Sequence, residues 1–285
     1  MKIKADSGNG IVIGIDVGIS TTKIIGFNPH NGVMSPIRIK ANDPVTSLYG
    51  AFGKYLYDNK IELSNVQHVM LTGVGSAYIN KPIYGLPTSK AGEFIADGLG
   101  ARYESELNRM IVVSMGTGTS LVMCDDKDIQ HIGGIGMGGG TLQGLSRLLL
   151  KTDDINQVAT LAMKGDEKKV NLMIGDISAK PVPNLPMNAT ASLFGRALHD
   201  AAKEDVALGL IIMTLQTIGS AAILSSLNSG IKDFVLIGNL SLLPQCKDVY
   251  PALEKLYNVR FCIPKYSEYC TAIGAALHYF EMNEK

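Results

Sequence analysis

Residues 11–27, IVIGIDVGISTTKIIGF, set two short apolar runs on either side of a polar turn, and few chain paths accommodate that order. Ile11, Val12, Ile13 and Ile15 form one run, and Lys23, Ile24, Ile25 and Phe27 the other; both predict buried strands. Between them Asp16, Gly18, Ser20, Thr21, Thr22 and Lys23 gather a carboxylate, hydroxyls, a cation and a flexible backbone. Such a turn can hold a phosphate tail and its metal ion, because glycine lets the backbone approach, N–H groups and hydroxyls donate, and the carboxylate offers oxygen to Mg²⁺. The same residues also suit an ordinary hairpin with a charged tip, so this segment alone leaves both readings open.

The chain has 285 residues and 46% hydrophobic content, enough core for two moderate domains or one large one. Lys plus Arg and Asp plus Glu number 26 each, so no net field draws nucleic acid or an anionic membrane, and any phosphate binding has to be local. Cys124, Cys246, Cys262 and Cys270 show no C-x-x-C spacing, and no charged segment leads into an apolar signal sequence; a reducing, cytoplasmic setting is expected. Residues 206–224 run uncharged for the length of a minimal membrane span. Thr214, Gln216, Thr217 and Ser220 interrupt them and no basic cluster anchors either end, so a helix buried between layers of a soluble domain is expected.

Along the chain, residues 1–8 are polar and read as frayed. A third strand is predicted over 33–40, broken by Asn42-Asp43-Pro44 ahead of a helix over 45–59. A strand over 68–72 runs out into Gly73-Val74-Gly75-Ser76, the kind of exit where α/β folds place ligand contacts; His68 itself reads as a surface or satisfied histidine. Residues 93–107 have helical spacing at Phe94, Ile95, Leu99 and Tyr103, with Glu93 and Asp97 on one face. A carboxylate at a helix start suits the dipole and carries no function by itself.

A strand over 110–114, the turn Gly116-Thr117-Gly118-Thr119-Ser120 and a strand over 121–124 repeat the opening hairpin. The repeat predicts a duplicated βββαβ unit in two lobes, residues 1–108 and 109–285, each turning a polar loop to one cleft and sharing helices across the join. Next comes HIGGIGMGGGTLQG, with six glycines from Gly133 to Gly140 ahead of a helix over 145–150, where free N–H groups at a helix start favour an anion. Gly134, Gly136 and Gly139 also satisfy G-x-G-x-x-G, but Asp153 and Asp154 come before any strand, unlike the acidic residue of a dinucleotide site. Helices are expected over 153–164, 168–177, 189–199, 251–257 and 268–279, strands over 234–237 and 259–263, and a proline-rich loop over 180–188.

The chain lacks G-x-x-x-x-G-K-[ST], a kinase H-R-D loop, H-E-x-x-H and G-x-S-x-G. Glycine and hydroxyl turns at strand ends, with a few carboxylates, suit phosphoryl transfer, which asks chiefly for positioning, a metal ion and a base. GIDVGISTTK at 14–23 resembles the first phosphate motif of the actin, sugar-kinase and Hsp70 ATPase superfamily. With Glu93-Phe94, GTGTS at 116–120, GGIGMGGGTLQGL at 133–145, Gly165-Asp166, SLFG at 192–195, IGN at 237–239 and AIGA at 272–275, the chain is similar to type II pantothenate kinases over nearly its whole length.

That resemblance implies an α/β, duplicated actin-like (ribonuclease H-like) ATPase fold, two lobes with mixed five-stranded sheets flanked by helices. It implies ATP-dependent phosphorylation of the primary hydroxyl of pantothenate, the first step towards coenzyme A, by a homodimer. Under it Glu93 is the general base, Asp16 holds Mg²⁺ directly or through water, and Lys23 contacts the phosphates. Gly18, Ser20, Gly118, Thr119, Gly138, Gly139 and Gly140 line the nucleotide tail, Phe194 and Gly195 lie on the adenine side, and Thr119 and His131 face the acceptor. His131 stands where the family usually carries a pantothenate-binding arginine; it is shorter and often neutral, which weakens a carboxylate or amide contact and leaves a relative such as pantetheine as an alternative acceptor. Coenzyme A or acetyl-CoA feedback occurs in some relatives. The first motif equally fits ATPase activators of 2-hydroxyacyl-CoA dehydratases, but their closely grouped cluster-binding cysteines are missing. A sugar kinase would bring an aspartate base and a dense Asn-Asp-Glu cluster, also missing.

Overall fold

The computed structural model describes residues 10–40 and 43–283. The segment read as frayed, 1–8, and Asn42 of the strand-ending triplet lie outside them. The strands are β1 (Ile11–Val17), β2 (Thr21–Asn28), β3 (Gly32–Lys40), β4 (Val66–Thr72), β5 (Thr88–Lys90), β6 (Met110–Met115), β7 (Thr119–Cys124), β8 (Ile129–Ile135), β9 (Leu172–Met173), β10 (Thr190–Ser192), β11 (Asp233–Ile237) and β12 (Arg260–Cys262). The helices are α1 (Pro44–Asn59), α2 (Glu93–Ser105), α3 (Gly139–Leu150), α4 (Ile155–Ala162), α5 (Ile174–Ile177), α6 (Lys203–Ser225), α7 (Cys246–Tyr257) and α8 (Cys270–Asn283).

The expected duplication is present. One five-stranded sheet has the order β3-β2-β1-β4-β5 and the other β12-β11-β6-β7-β8, so each is an antiparallel three-stranded meander whose first strand carries two parallel additions. Both sheets are covered on both faces, which is why their central strands read as continuous apolar runs. In the first, Ile13, Ile15, Val17 and Ile24 pack with Leu48 and Phe52 of α1, while Val12, Ile25, Phe27 and Met70 pack with Leu99, Ile273, Ala276 and Phe280 of α2 and α8. In the second, Ile111, Val113 and Leu236 meet Leu210, Ile211 and Leu215 of α6, and Val112, Val122 and Val235 meet Ala101 and Cys270.

α2 and α8 are thus layered between the two sheets and packed against by both. They cross closely because the contact points are glycines: a Cβ on Gly100 would run into the Cys270 carbonyl, and one on Gly274 into that of Ala96. α1 begins where Asp43 Oδ1 accepts from the Thr46 N–H at 2.7 Å, with Pro44 in the first turn. α6 is long and apolar enough to cross a membrane by composition, yet Leu210, Ile211, Leu215, Ile218 and Ala222 are buried in the protein core.

Two predicted helices are absent. Residues 168–177 form β9 and the single turn α5 instead, because the Met173 N–H is captured by Asp176 Oδ2 at 2.8 Å. Residues 189–199 form β10 and a turn in which Phe194 is left-handed, φ 56°, and its N–H donates to Asn171 Oδ1 at 3.0 Å. In both cases a side-chain oxygen took a backbone donor that a helix would have needed. The glycine cluster also differs from expectation: its first half is β8, and α3 starts at Gly139, a turn and a half before residue 145.

Candidate active site

The β1–β2 register sets Asp16 directly opposite Lys23, with Nζ 3.7 Å from Oδ2. The two side chains are 14% and 7% exposed. The turn beyond is closed by the Gly18 N–H on the Thr21 carbonyl at 3.0 Å and presents Ser20 to solvent. The end of β4 passes against the same carboxylate, and only glycine fits there: Gly73 has φ 81°, and a Cβ would lie 2.5 Å from Asp16 Oδ1.

From the second sheet the β6–β7 turn, residues 116–118, faces this hairpin. It is held from behind by the glycine cluster. The N–H groups of Gly139 and Gly140 donate to the Gly116 and Thr117 carbonyls at 2.8 and 2.9 Å, and a Cβ on Gly138 would lie 2.5 Å from the Thr117 oxygen. Thr119 Oγ1 donates to the Met137 carbonyl at 2.8 Å. Two donors expected to be free for an anion are therefore spent on fixing the loop, and the cluster shapes the site through that loop.

The facing turns enclose a cleft of about 470 Å³. Asp16, Gly18, Ser20, Lys23, Glu93, Gly118, Thr119 and His131 all line it. Gly138, Gly139 and Gly140 stand behind it, and Phe194 and Gly195 are not among its lining residues: the Phe194 ring lies over Gly209 of α6. Glu93, at the first position of α2, has its carboxyl raised above the usual range, chiefly by burial and then by the charge of Asp16, with Lys23 opposing. Asp16 is raised by burial against the attraction of Lys23. A half-buried carboxylate at a helix start, next to an anion and in an open cleft, is suited to taking a proton.

Four further residues belong to the site. Ser114, Asn239 and Thr271 line the cleft, and Asp97 lies buried behind it, bound by Thr271 Oγ1 to Oδ1 at 2.6 Å. Asn239 stands in the IGN segment and Thr271 at a helix start, both visible as motif positions; the Asp97 to Thr271 bond joins residues too far apart for any local pattern to reveal. The His131 ring stacks on Phe94, centroids 4.0 Å apart, so β8 touches the start of α2 beside Glu93.

The family model for Fumble matches residues 100–277. The chain is 29% identical over 279 residues to a type II pantothenate kinase of Staphylococcus aureus, covering 92% of this chain and 97% of the relative. It is 31% identical over 195 residues to a type II pantothenate kinase of Staphylococcus epidermidis, covering 66% and 68%. In fold it is similar to the activator of 2-hydroxyisocaproyl-CoA dehydratase from Clostridium difficile, solved with bound ADPNP, at a TM-score of 0.70 and 14% identity over 96% of each chain. Likeness at that identity speaks for the shared architecture, while the family model spans well over half of this sequence and agrees with its nearer relatives: the chain belongs to the Fumble family, that of the type II pantothenate kinases.

Proposed function

We propose that this protein transfers the γ-phosphoryl group of ATP to the primary hydroxyl of pantothenate, giving 4'-phosphopantothenate and ADP in the first step of coenzyme A biosynthesis. The observation that carries the reading is the pair of loops, 18–20 and 116–119, facing each other over a cleft that also holds Glu93. Residues 1–108 and 109–285 are taken as the two jaws, with α8 reaching back to the first.

The residues present fit a nucleotide with its ion. Asp16 is a cleft carboxylate, Asn239 Oδ1 is buried without a hydrogen-bond partner among the described residues, and Lys23 supplies positive charge. Nucleotide-borne Mg²⁺ needs only one or two protein carboxylates, so Asp16 can hold it directly or through water. When bound, the ion neutralises charge on the β- and γ-oxygens. Glu93 accepts the proton as the alcohol O–H breaks and the new O–P bond forms; the bond from Pγ to the bridging oxygen breaks and ADP leaves. Lys23 offsets phosphate charge, Gly18, Ser20, Gly118 and Thr119 cradle the tail, and the tight packing behind the 116–118 loop keeps it preorganised. On this reading the enzyme works in the cytoplasm as a homodimer, with coenzyme A thioesters as candidate feedback ligands.

Pantetheine is the second acceptor to consider. Among the described residues Lys23 is the only Lys or Arg lining the cleft, and it is paired with Asp16, so an acceptor carboxylate meets no other lysine or arginine among them there. Phosphoryl transfer from ATP and Mg²⁺ to pantothenate, pantetheine, glucose and N-acetylglucosamine tests both readings. Turnover on pantothenate supports the first, turnover confined to pantetheine the second, and turnover on a sugar alone overturns both.

A further inference from the structure

Asp97 is unusual in having no place in the chemistry just described while being a fully buried carboxyl one helical turn from Glu93. It sits in the glycine-lined crossing of α2 and α8. Its Oδ1 accepts from Thr271, a residue of α8 that lines the cleft, and its Oδ2 has no hydrogen-bond partner among the described residues. The groups that bear on it from each packed element are Glu93 on α2, Asp16 on β1, the Ser114 hydroxyl on β6, the Cys124 thiol on β7, and Thr271 and Cys270 on α8. The two charges that act on it directly are both acidic, Lys23 on β2 bears on Glu93, Asp16 and Cys270, and both thiols are held neutral by burial. An ionised Asp97 therefore faces like charge in a desolvated layer, whereas a protonated one satisfies the space without it. Burial first, with the charges of Glu93 and Asp16, outweighs the Thr271 and Ser114 hydroxyls and raises its carboxyl to about 7, inside the range where a metabolic enzyme works.

We propose that Asp97 is a positioning residue, the neutral partner of a carboxyl pair with Glu93: while it keeps its proton, Glu93 is the one member of the pair that is ionised, and losing that proton switches transfer off. The inference rests on Glu93 as the base. The pair titrates as a unit, and the charge of an ionised Glu93 favours the proton on Asp97. A second buried negative charge then opposes both the triphosphate and the ionised Glu93 and Asp16.

The test is kcat against pH at saturating ATP and acceptor for wild type, Asp97→Asn and Thr271→Val, with KM for ATP followed alongside. Asn keeps an acceptor for Thr271 and cannot ionise, so a merely structural role predicts an unchanged profile. The expected result is a wild-type profile that falls near pH 7, a fall abolished in Asp97→Asn with the acid limb kept, and a fall displaced to higher pH in Thr271→Val, where the bond favouring the charged form is gone. A profile in Asp97→Asn superimposable on wild type overturns the proposal. Should that variant not fold, isotope-edited infrared titration of wild type decides: a protonated aspartic acid band present near pH 6 and lost above neutrality supports the pair, and its absence sinks it. In the same titration Glu93→Gln should lower the pH at which the band is lost. If Glu93→Gln leaves turnover intact, the base assignment fails; if it abolishes turnover while Asp97→Asn changes nothing in the profile, only the pairing fails.

Discussion

The imidazole of His131 lies flat on the ring of Phe94, with centroids 4.0 Å apart and planes 8° from parallel. His131 comes from the second sheet and Phe94 follows Glu93 in sequence, so the stack holds β8, at the edge of the cleft, against the start of α2.

Replacing His131 by Ala should raise KM for the acceptor several-fold, since an aromatic pair of this kind contributes about 0.5–1.5 kcal/mol. His131→Arg should raise kcat/KM for pantothenate relative to pantetheine, because a guanidinium adds a carboxylate partner to a cleft that offers only Lys23. Steady-state kinetics on both acceptors read this. A preference that stays the same would remove His131 from acceptor selection.

Glu93→Gln should retain nucleotide binding and lose about 10²- to 10⁴-fold in kcat, the usual contribution of a positioned base. Because burial raises the Glu93 carboxyl, wild-type kcat should fall on acidification at a pH above that of an ordinary glutamate. Calorimetric titration with ATP separates binding from turnover. Full activity in the variant would end its assignment as base.

Stability should depend on pH through Asp97. The unfolded group ionises near 3.8 and the folded one near 7, so the folded state holds the extra proton between them. Its stabilising contribution is complete below the unfolded value and is lost as pH rises to the folded one. Denaturant melts should therefore show wild type losing stability relative to Asp97→Asn as pH climbs through that window, with a constant difference beyond it. Parallel curves would show that Asp97 ionises in the folded protein as freely as in water.

Gly274→Ala should destabilise the protein by about 1–3 kcal/mol or more, the usual range for overpacking, because the added methyl meets the Ala96 carbonyl where α2 and α8 cross. Gly144→Ala is the control: its Cβ position is open, and helix propensity favours alanine. Equal melting temperatures for the two variants would show that the crossing is loose.

Much of this arrangement was legible from residues alone. Strands β1, β2, β4, β6 and β11 are dense in Val and Ile, and the repeat of hairpin and polar turn announced the two similar sheets. Local patterns failed where distant or side-chain partners decide. Asn171 and Asp176 take backbone donors at Phe194 and Met173, where short strands and turns replace the expected helices, and no periodicity records this. The glycines at 138–140 advertise an anion cradle, but whether their N–H groups meet a ligand or a loop depends on the 116–118 turn. Asp97 read only as sharing a helix face with Glu93 and carrying no function by itself; its burial against α8 comes from a residue far along the chain.

That cover has a consequence for synthesis. Val12, Ile25, Phe27 and Met70 are made before the second sheet is begun, but Ile273, Ala276 and Phe280, which help to shelter them, only after it is complete. One side of the first sheet thus keeps only its α2 cover until α8 has been made, so removing α8 strips part of the wall from a sheet made long before it.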